Sequence, residues 1–276
     1  MEKRLIINGD DFGYPKGSLE ATIELHEAGI LTSTSGMVNQ PHWPEAATYL
    51  RDNRDLAAGV HLVMNAGRPV LPPEQVPSLV DGEGRFRDGL PLILRTVFIR
   101  TAQLKAEWRA QIDRFVGDTG RQPDHLDLHT SFPYLHPSWF RVNLELAQEY
   151  GPLPIRLPFD DALDHKAASG ALGCSFLAPY IRWMGRRYQR MTEEHGLKRS
   201  NYVDMSFTRP APAPDESPRT EYLLELLGHL PDGVTELVTH PRAEGPWWQD
   251  VPALRDPRVK QRIEDLGIEL ITYGDL

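Results

Sequence analysis

Short apolar runs alternate with longer segments in which apolar residues recur at helical spacing. The first run, Leu5-Ile6-Ile7 closing on Asn8, reads as a short buried strand. A parallel strand covered on both faces carries no polar alternation, and its exit can turn side chains into a pocket. Here the run breaks at Gly9 straight into Asp10 and Asp11. Residues 17–28 predict a helix closed by Gly29, a residue suited to the left-handed C-terminal position. Strands follow at 35–39 and 57–63, with a helix at about 44–52 between them. Residues 68–88 are rich in Pro and Gly and read as a long functional loop. An amphipathic helix at 103–116, a strand at 125–129, a helix at 137–150 and a short strand at 155–157 continue the alternation. A helix at 170–195, a proline-rich loop at 210–218, a helix at 220–229, a strand at 236–239, a helix at 256–265 and a strand at 269–272 complete it. Strand–helix alternation with no break in composition predicts one α/β domain over residues 1–276, a parallel sheet closed as a barrel.

Composition narrows the classes. A formal charge of −9 gives no electrostatic footprint for nucleic acid or an anionic membrane. One cysteine, Cys174, excludes an intramolecular disulfide framework and a Cys-rich zinc site. There is no basic-then-apolar leader and no 18-residue apolar run, so the expected location is the cytoplasm without membrane insertion. No GxGxxG or Walker pattern supports nucleotide binding. An ordinary soluble enzyme fits 40% hydrophobic and 25% charged residues.

Candidate chemistry gathers at strand ends. Asp10 and Asp11 repel one another unless a cation, a proton or an arginine lies between them, although a helix-capping pair is the plainer reading. In a strand, His125, Asp127 and His129 share one face while Leu126 and Leu128 share the other. A solvated edge strand would show the same pattern. His61 ends the 57–63 strand, comparable in place to Asp11 and His129, and two imidazoles with one carboxylate leave positions open on a divalent ion. His240 precedes Pro241, which stops its strand, and an imidazole there can hand a proton to a leaving group. Arg156 is a cation on an apolar strand, either a structural ion pair or a clamp on a catalytic aspartate. His42, His136, His165, His195 and His229 fall in loops or helices and read as structural.

Several blocks together resemble the YdjC-like carbohydrate deacetylase family, which includes chitooligosaccharide deacetylases and a hopanoid-associated branch. They are Ile7-Asn8-Gly9-Asp10-Asp11-Phe12-Gly13, the stretch from His26 to Asn39, Gly59-Val60-His61-Leu62 with Gly67-Arg68-Pro69, Pro123 to His129, Glu236 to Pro241, and Gly267 to Tyr273. They stand in family order from end to end. The resemblance implies a single distorted (β/α) barrel like that of polysaccharide deacetylases. It further implies a metal on Asp11, His61 and His129, with Asp10 as general base. The implied activity is metal-dependent removal of an acetyl group from an N-acetylated sugar; the leaving amine's need for a proton then assigns His240 as general acid, and Arg156 is read as holding Asp10 ionised and oriented. The implied cofactor is one divalent ion: the donor set suits Zn²⁺, while the family is described with Mg²⁺. Thr130-Ser131-Phe132-Pro133 departs from the family pattern of further histidines, which bears on substrate. Two rivals stay open, the same hydrolysis on a non-sugar or lipid-linked amide and an inactive carbohydrate-binding barrel. The partner is a small N-acetylated carbohydrate; the oligomeric state is open, a homodimer being one option.

Overall fold

The computed structural model describes residues 2–159, 178–205, 207, 219–243 and 250–276. Cys174, His165, the 210–218 loop and the start of the predicted 170–195 helix lie outside them. The strands are β1 (Lys3–Phe12), β2 (Ser33–Gly36), β3 (Ala57–Leu62), β4 (Leu126–Leu128), β5 (Tyr202–Asp204), β6 (Gly233–Thr239) and β7 (Glu269–Leu270). The helices are α1 (Lys16–Glu27), α2 (Trp43–Asp52), α3 (Gly89–Arg95), α4 (Thr101–Thr119), α5 (Pro137–Glu149), α6 (Ala178–Glu194), α7 (Arg219–Gly228), α8 (Asp250–Arg255) and α9 (Pro257–Asp265).

The strands run in the order β4-β3-β2-β1-β6-β5, every neighbouring pair parallel, with β7 added beside the start of β1. The sheet curls into a half-barrel. Its open side is spanned by Ile155, which bridges Leu126 of β4 and donates its backbone N–H to Lys198 O at 3.0 Å. The predicted 155–157 strand is therefore a single bridge, because neither neighbour continues far enough to extend the ladder. The predicted barrel class holds, without full closure among the described residues.

Alternation along β1 separates the two faces. Leu5 and Ile7 pack outward with Leu25 of α1 and Leu223 and Leu227 of α7. Ile6 packs inward with Val234, Ile271 and Tyr273. A larger outer layer joins Trp43, Trp108, Phe115 and Phe140 from α2, α4 and α5 over β2–β4. Burial of this kind contributes about 25 cal/mol per Å² of apolar surface and is the main force holding helices to the sheet.

The strand predicted to stop at Asn8 runs on to Phe12. Its register with β2 shifts between Gly9 and Phe12, and Asp11 there adopts a left-handed backbone with φ 66°. A bulge adds a residue without ending the ladder, and aspartate is among the few non-glycine residues that accept this conformation. Loop 68–88 is confirmed as irregular apart from a 3-10 turn (Pro73–Gln75) and a Val80–Phe86 bridge. Elements α3, α8 and β5 were not legible in the pattern. No described helix is long and apolar enough to cross a membrane.

Candidate metal centre

The bulge in β1 explains how two adjacent carboxylates serve one pocket. In a regular strand Asp10 and Asp11 would face opposite sides of the sheet. The extra residue turns Asp11 back inward. Its Oδ1 then lies 3.6 Å from His61 Nε2 on β3 and 3.2 Å from His129 Nδ1, just beyond β4. The His61 and His129 rings meet edge to face with centroids 5.2 Å apart. Residues separated by up to 118 positions thus converge, each at a strand exit, where parallel α/β folds place their ligands.

Three buried atoms in this group, Asp11 Oδ1, His61 Nε2 and His129 Nδ1, have no hydrogen bond among the described residues. Buried polar atoms are normally satisfied. The two distances from Asp11 Oδ1 match donors around a single cation, since two ligands at ~2.1 Å on a tetrahedral ion lie about 3.4 Å apart, and all three atoms lie within 4.8 Å of one another. Asp10, His61 and Asp127 also cluster within ligand range. In that second group, however, every aspartate oxygen already accepts from at least one protein donor, whereas Asp11 Oδ1 accepts from none among the described residues. The orphaned atoms therefore favour Asp11, His61 and His129, and two nitrogens with one carboxylate suit Zn²⁺ better than Mg²⁺.

Around this group lies a buried polar network. Asp127 Oδ1 takes His61 Nδ1 at 2.8 Å, the arrangement that leaves Nε2 to face a ligand. Ser35 Oγ donates to Asp127 Oδ2 at 2.9 Å and lies 3.0 Å from His125 Nε2. His125 in turn stacks on Tyr273, 3.9 Å between centroids. Gly59 makes room for that ring: a Cβ there would come within 2.5 Å of His125.

Arg156 is buried among three carboxylates. It grips Asp10 through two hydrogen bonds of 2.7 and 2.8 Å, and it lies 2.7 Å from both Asp127 and Glu236. Asn8 Nδ2 adds a third bond to Asp10, at 2.7 Å on Oδ1. Asp10 Oδ2, 3.8 Å from His61 Nε2, keeps a lone pair toward the pocket. The ion pair and the clamp expected for Arg156 are thus the same contact.

Charge follows from this geometry. Burial alone would raise the Asp11 carboxyl, but His129, His240 and His61 outweigh it and hold it far below the carboxylate range. Burial opposes charge on His61 as well, yet Asp127, Asp10 and Asp11 raise it to about 9, so without a cation a proton sits in its place. Asp127 resists burial chiefly through Arg156 and His61 and stays well below its usual value. Burial raises Glu236, with Arg156 opposing. His240 lies close enough to feel Asp11, Asp10 and His61, but burial dominates and lowers its imidazole. Its backbone N–H donates to Asp250 Oδ2 at 3.0 Å, and Asp250, paired with Arg219, is raised by burial to about 7.

The six residues given roles from sequence, Asp10, Asp11, His61, His129, Arg156 and His240, meet in this region, with the other two candidates, His125 and Asp127, in the network around them. Glu236 and Arg242 were missed. Glu236 carries a legible signal, a charge inside the apolar β6 run. Arg242 reaches Asp11 Oδ2, a contact that nothing in its local sequence announces. Among the residues read as structural, His136 stacks on Trp139 with centroids 4.5 Å apart, and His195 and His229 bond backbone carbonyls.

Comparison with known proteins adds an independent line. The family model described as YdjC-like protein matches residues 4–265. A carbohydrate deacetylase of Brevibacillus brevis is 39% identical over 156 residues, 56% of this chain; the match spans 60% of that protein's length. A chitooligosaccharide deacetylase of Yersinia enterocolitica is 29% identical over 277 residues and covers 100% of both chains. A crystal structure from Enterococcus faecalis V583, provisionally described as a cellobiose-phosphate cleavage protein, superposes with TM-score 0.79 at 30% identity, covering 100% of this chain and 99% of that one.

Proposed function

The chain belongs to the YdjC-like family, and from that premise we propose that it is a metal-dependent deacetylase of an N-acetylated sugar. The observation that carries the proposal is the set of three orphaned donor atoms beside an arginine-clamped carboxylate. Relatives named carbohydrate and chitooligosaccharide deacetylase support the substrate class.

Asp11, His61 and His129 would hold one divalent ion, with Zn²⁺ and Mg²⁺ both within the reading. Such an ion, once bound, polarises a carbonyl and makes water more acidic. Asp10, fixed by Arg156 and Asn8, takes the proton from the attacking water through Oδ2. Arg156 keeps that carboxylate in one orientation, which preserves the attack geometry. His240 begins neutral, because burial lowers its imidazole. It takes up a proton from solvent as negative charge develops nearby and passes it to the departing nitrogen, while the proton held by Asp10 returns to solvent. The C–N bond then breaks, giving acetate and a free amine, since an amide nitrogen leaves only when protonated.

Asp10→Asn tests the assignment. The amide preserves size but cannot accept the proton, so hydrolysis of an N-acetyl chitooligosaccharide should fall on the order of 10²-fold or more while metal content holds. Loss of metal in step with activity would make Asp10 a ligand and reverse the roles.

A further inference from the structure

Helix α3 and the 3-10 turn after it (Thr96–Phe98) turn their apolar stripe away from the protein. Leu90, Ile93, Leu94, Val97 and Phe98 are 64, 55, 67, 83 and 66% exposed, while Leu92 is buried. Their spacing of i, i+3, i+4, i+7 and i+8 is the stripe by which an amphipathic helix normally seats on a core. Here it faces solvent. The five side chains present roughly 600 Å² if a fully exposed large apolar side chain offers about 150–200 Å², at the upper limit of what soluble monomers leave uncovered. A second exposed group lies on α6, where Tyr180 and Trp183 stack at 6.0 Å and Arg187 sits 5.6 Å over the Trp183 ring.

Both groups lie at the pocket end of the sheet. Helix α4 leads down into β4, so α3, which precedes it, sits where the strands exit. Asp88, just before α3, accepts a hydrogen bond of 3.1 Å from Asn65, four residues beyond His61. Helix α6 likewise descends toward β5, placing Tyr180 and Trp183 near its upper end.

We propose that this rim docks the protein on an anionic lipid bilayer, with the pocket end facing the headgroups. Charge is the deciding argument. Between residues 81 and 100 stand Arg85, Arg87, Arg95 and Arg100 against Asp81, Asp88 and Glu83, the last 3.7 Å from Arg85, so Arg95 and Arg100 are the cations beside the stripe, while the first ten residues of α6 carry Arg186 and Arg187 with no acid. On a chain of net charge −9 this arginine rim is local, and it frames apolar and aromatic side chains. Apolar residues that enter the acyl boundary, Trp and Tyr at headgroup depth and arginines on anionic headgroups are the parts of an interfacial surface. A second copy of the chain fits less well. The patch falls short of the roughly 800 Å² per partner of a stable dimer, and a two-fold contact would oppose arginine to arginine. A docked pocket would work on groups carried at a lipid surface. The binding itself is independent of the deacetylase reading, because it is measured without turnover.

The experiment is co-sedimentation with vesicles of phosphatidylcholine alone and of phosphatidylcholine with about one third phosphatidylglycerol. The intact protein should bind the anionic vesicles and release them at high salt. Leu94→Glu with Val97→Glu should weaken binding on the order of tenfold or more. Arg95→Glu with Arg100→Glu should weaken it on anionic vesicles only. Circular dichroism confirms that both variants fold, as expected for changes at exposed positions. Failure to bind, equal binding to both vesicle types, or equal binding by all variants would overturn the proposal. So would a dimer in sedimentation that the Leu94/Val97 variant dissolves, since a second copy would then cover the face.

Discussion

Replacing Arg156 by methionine removes one buried cation and leaves Asp10, Asp127 and Glu236 facing each other at the centre of the half-barrel. Methionine retains most of the stem's bulk, so the change isolates charge and hydrogen bonding from packing. Two carboxylates on opposite sides of a guanidinium are on the order of 5 Å apart, and at an effective dielectric of about 20 they repel by roughly 3 kcal/mol. Breaking a buried pair by removing one partner costs about 3–5 kcal/mol in comparable cases, which agrees. For a chain of 276 residues that is a fall of about 6–10 °C in melting temperature, at about 2 °C per kcal/mol. The loss should depend on pH. In the native protein Asp127 is held below its unfolded value of about 3.9, so it adds stability above that pH and loses it as pH falls. In the variant the stranded carboxyl is pushed above that value, and its penalty grows as pH rises. The gap between the two proteins should therefore be widest near neutrality and close toward pH ~4. Thermal melts of chelator-treated protein at several pH values measure it. A deficit under about 2 °C, or one unchanged with pH, would refute the picture of one arginine balancing three carboxylates.

Asp127→Asn should lower metal affinity by about 10–100-fold while keeping the fold, because it weakens the group that orients His61; equilibrium dialysis against a metal buffer reads this directly. His61, at about 9 without metal, must lose a proton on binding, so affinity should rise with pH up to that value, by roughly tenfold per unit below it. Titration calorimetry in buffers of different ionisation heat should show close to one proton released near neutrality, and none released would count against His61 as a ligand. Gly59→Ala should destabilise by about 1–3 kcal/mol or more, since its new methyl would overlap the His125 ring. Chemical denaturation would show it, and an unchanged midpoint would mean that the His125–Tyr273 stack shifts freely.

The exits of β1, β3 and β4 were legible because apolar runs ending in Asp or His mark them locally, and parallel topology brings exits together. That reasoning assembled Asp11, His61 and His129 from segments far apart. It stopped β1 too early, because a glycine followed by two aspartates looks like a turn unless a neighbouring strand is known to hold the ladder through a bulge. The strand placed at 155–157 shrank to a bridge at Ile155 for the opposite reason: its composition is right, but β4 beside it is only three residues long. Helix α3 was hidden because its apolar stripe follows a glycine- and proline-rich loop. The three-carboxylate surround of Arg156 joins residues 10, 127, 156 and 236, and no local spacing encodes such a meeting.

The left-handed turn at Asp11 limits which amino acids can replace it. Many carboxylate ligands tolerate exchange between aspartate and glutamate, since the longer arm can be drawn back. At this position the backbone takes part in the choice, because left-handed geometry admits glycine, asparagine and aspartate far more readily than longer side chains. Of those three only aspartate brings an anion. The vocabulary open to drift is therefore nearly a single letter for as long as the chemistry is kept. A lineage that abandoned catalysis would find asparagine and glycine the easiest exits, and either would be the earliest readable mark of a silent descendant.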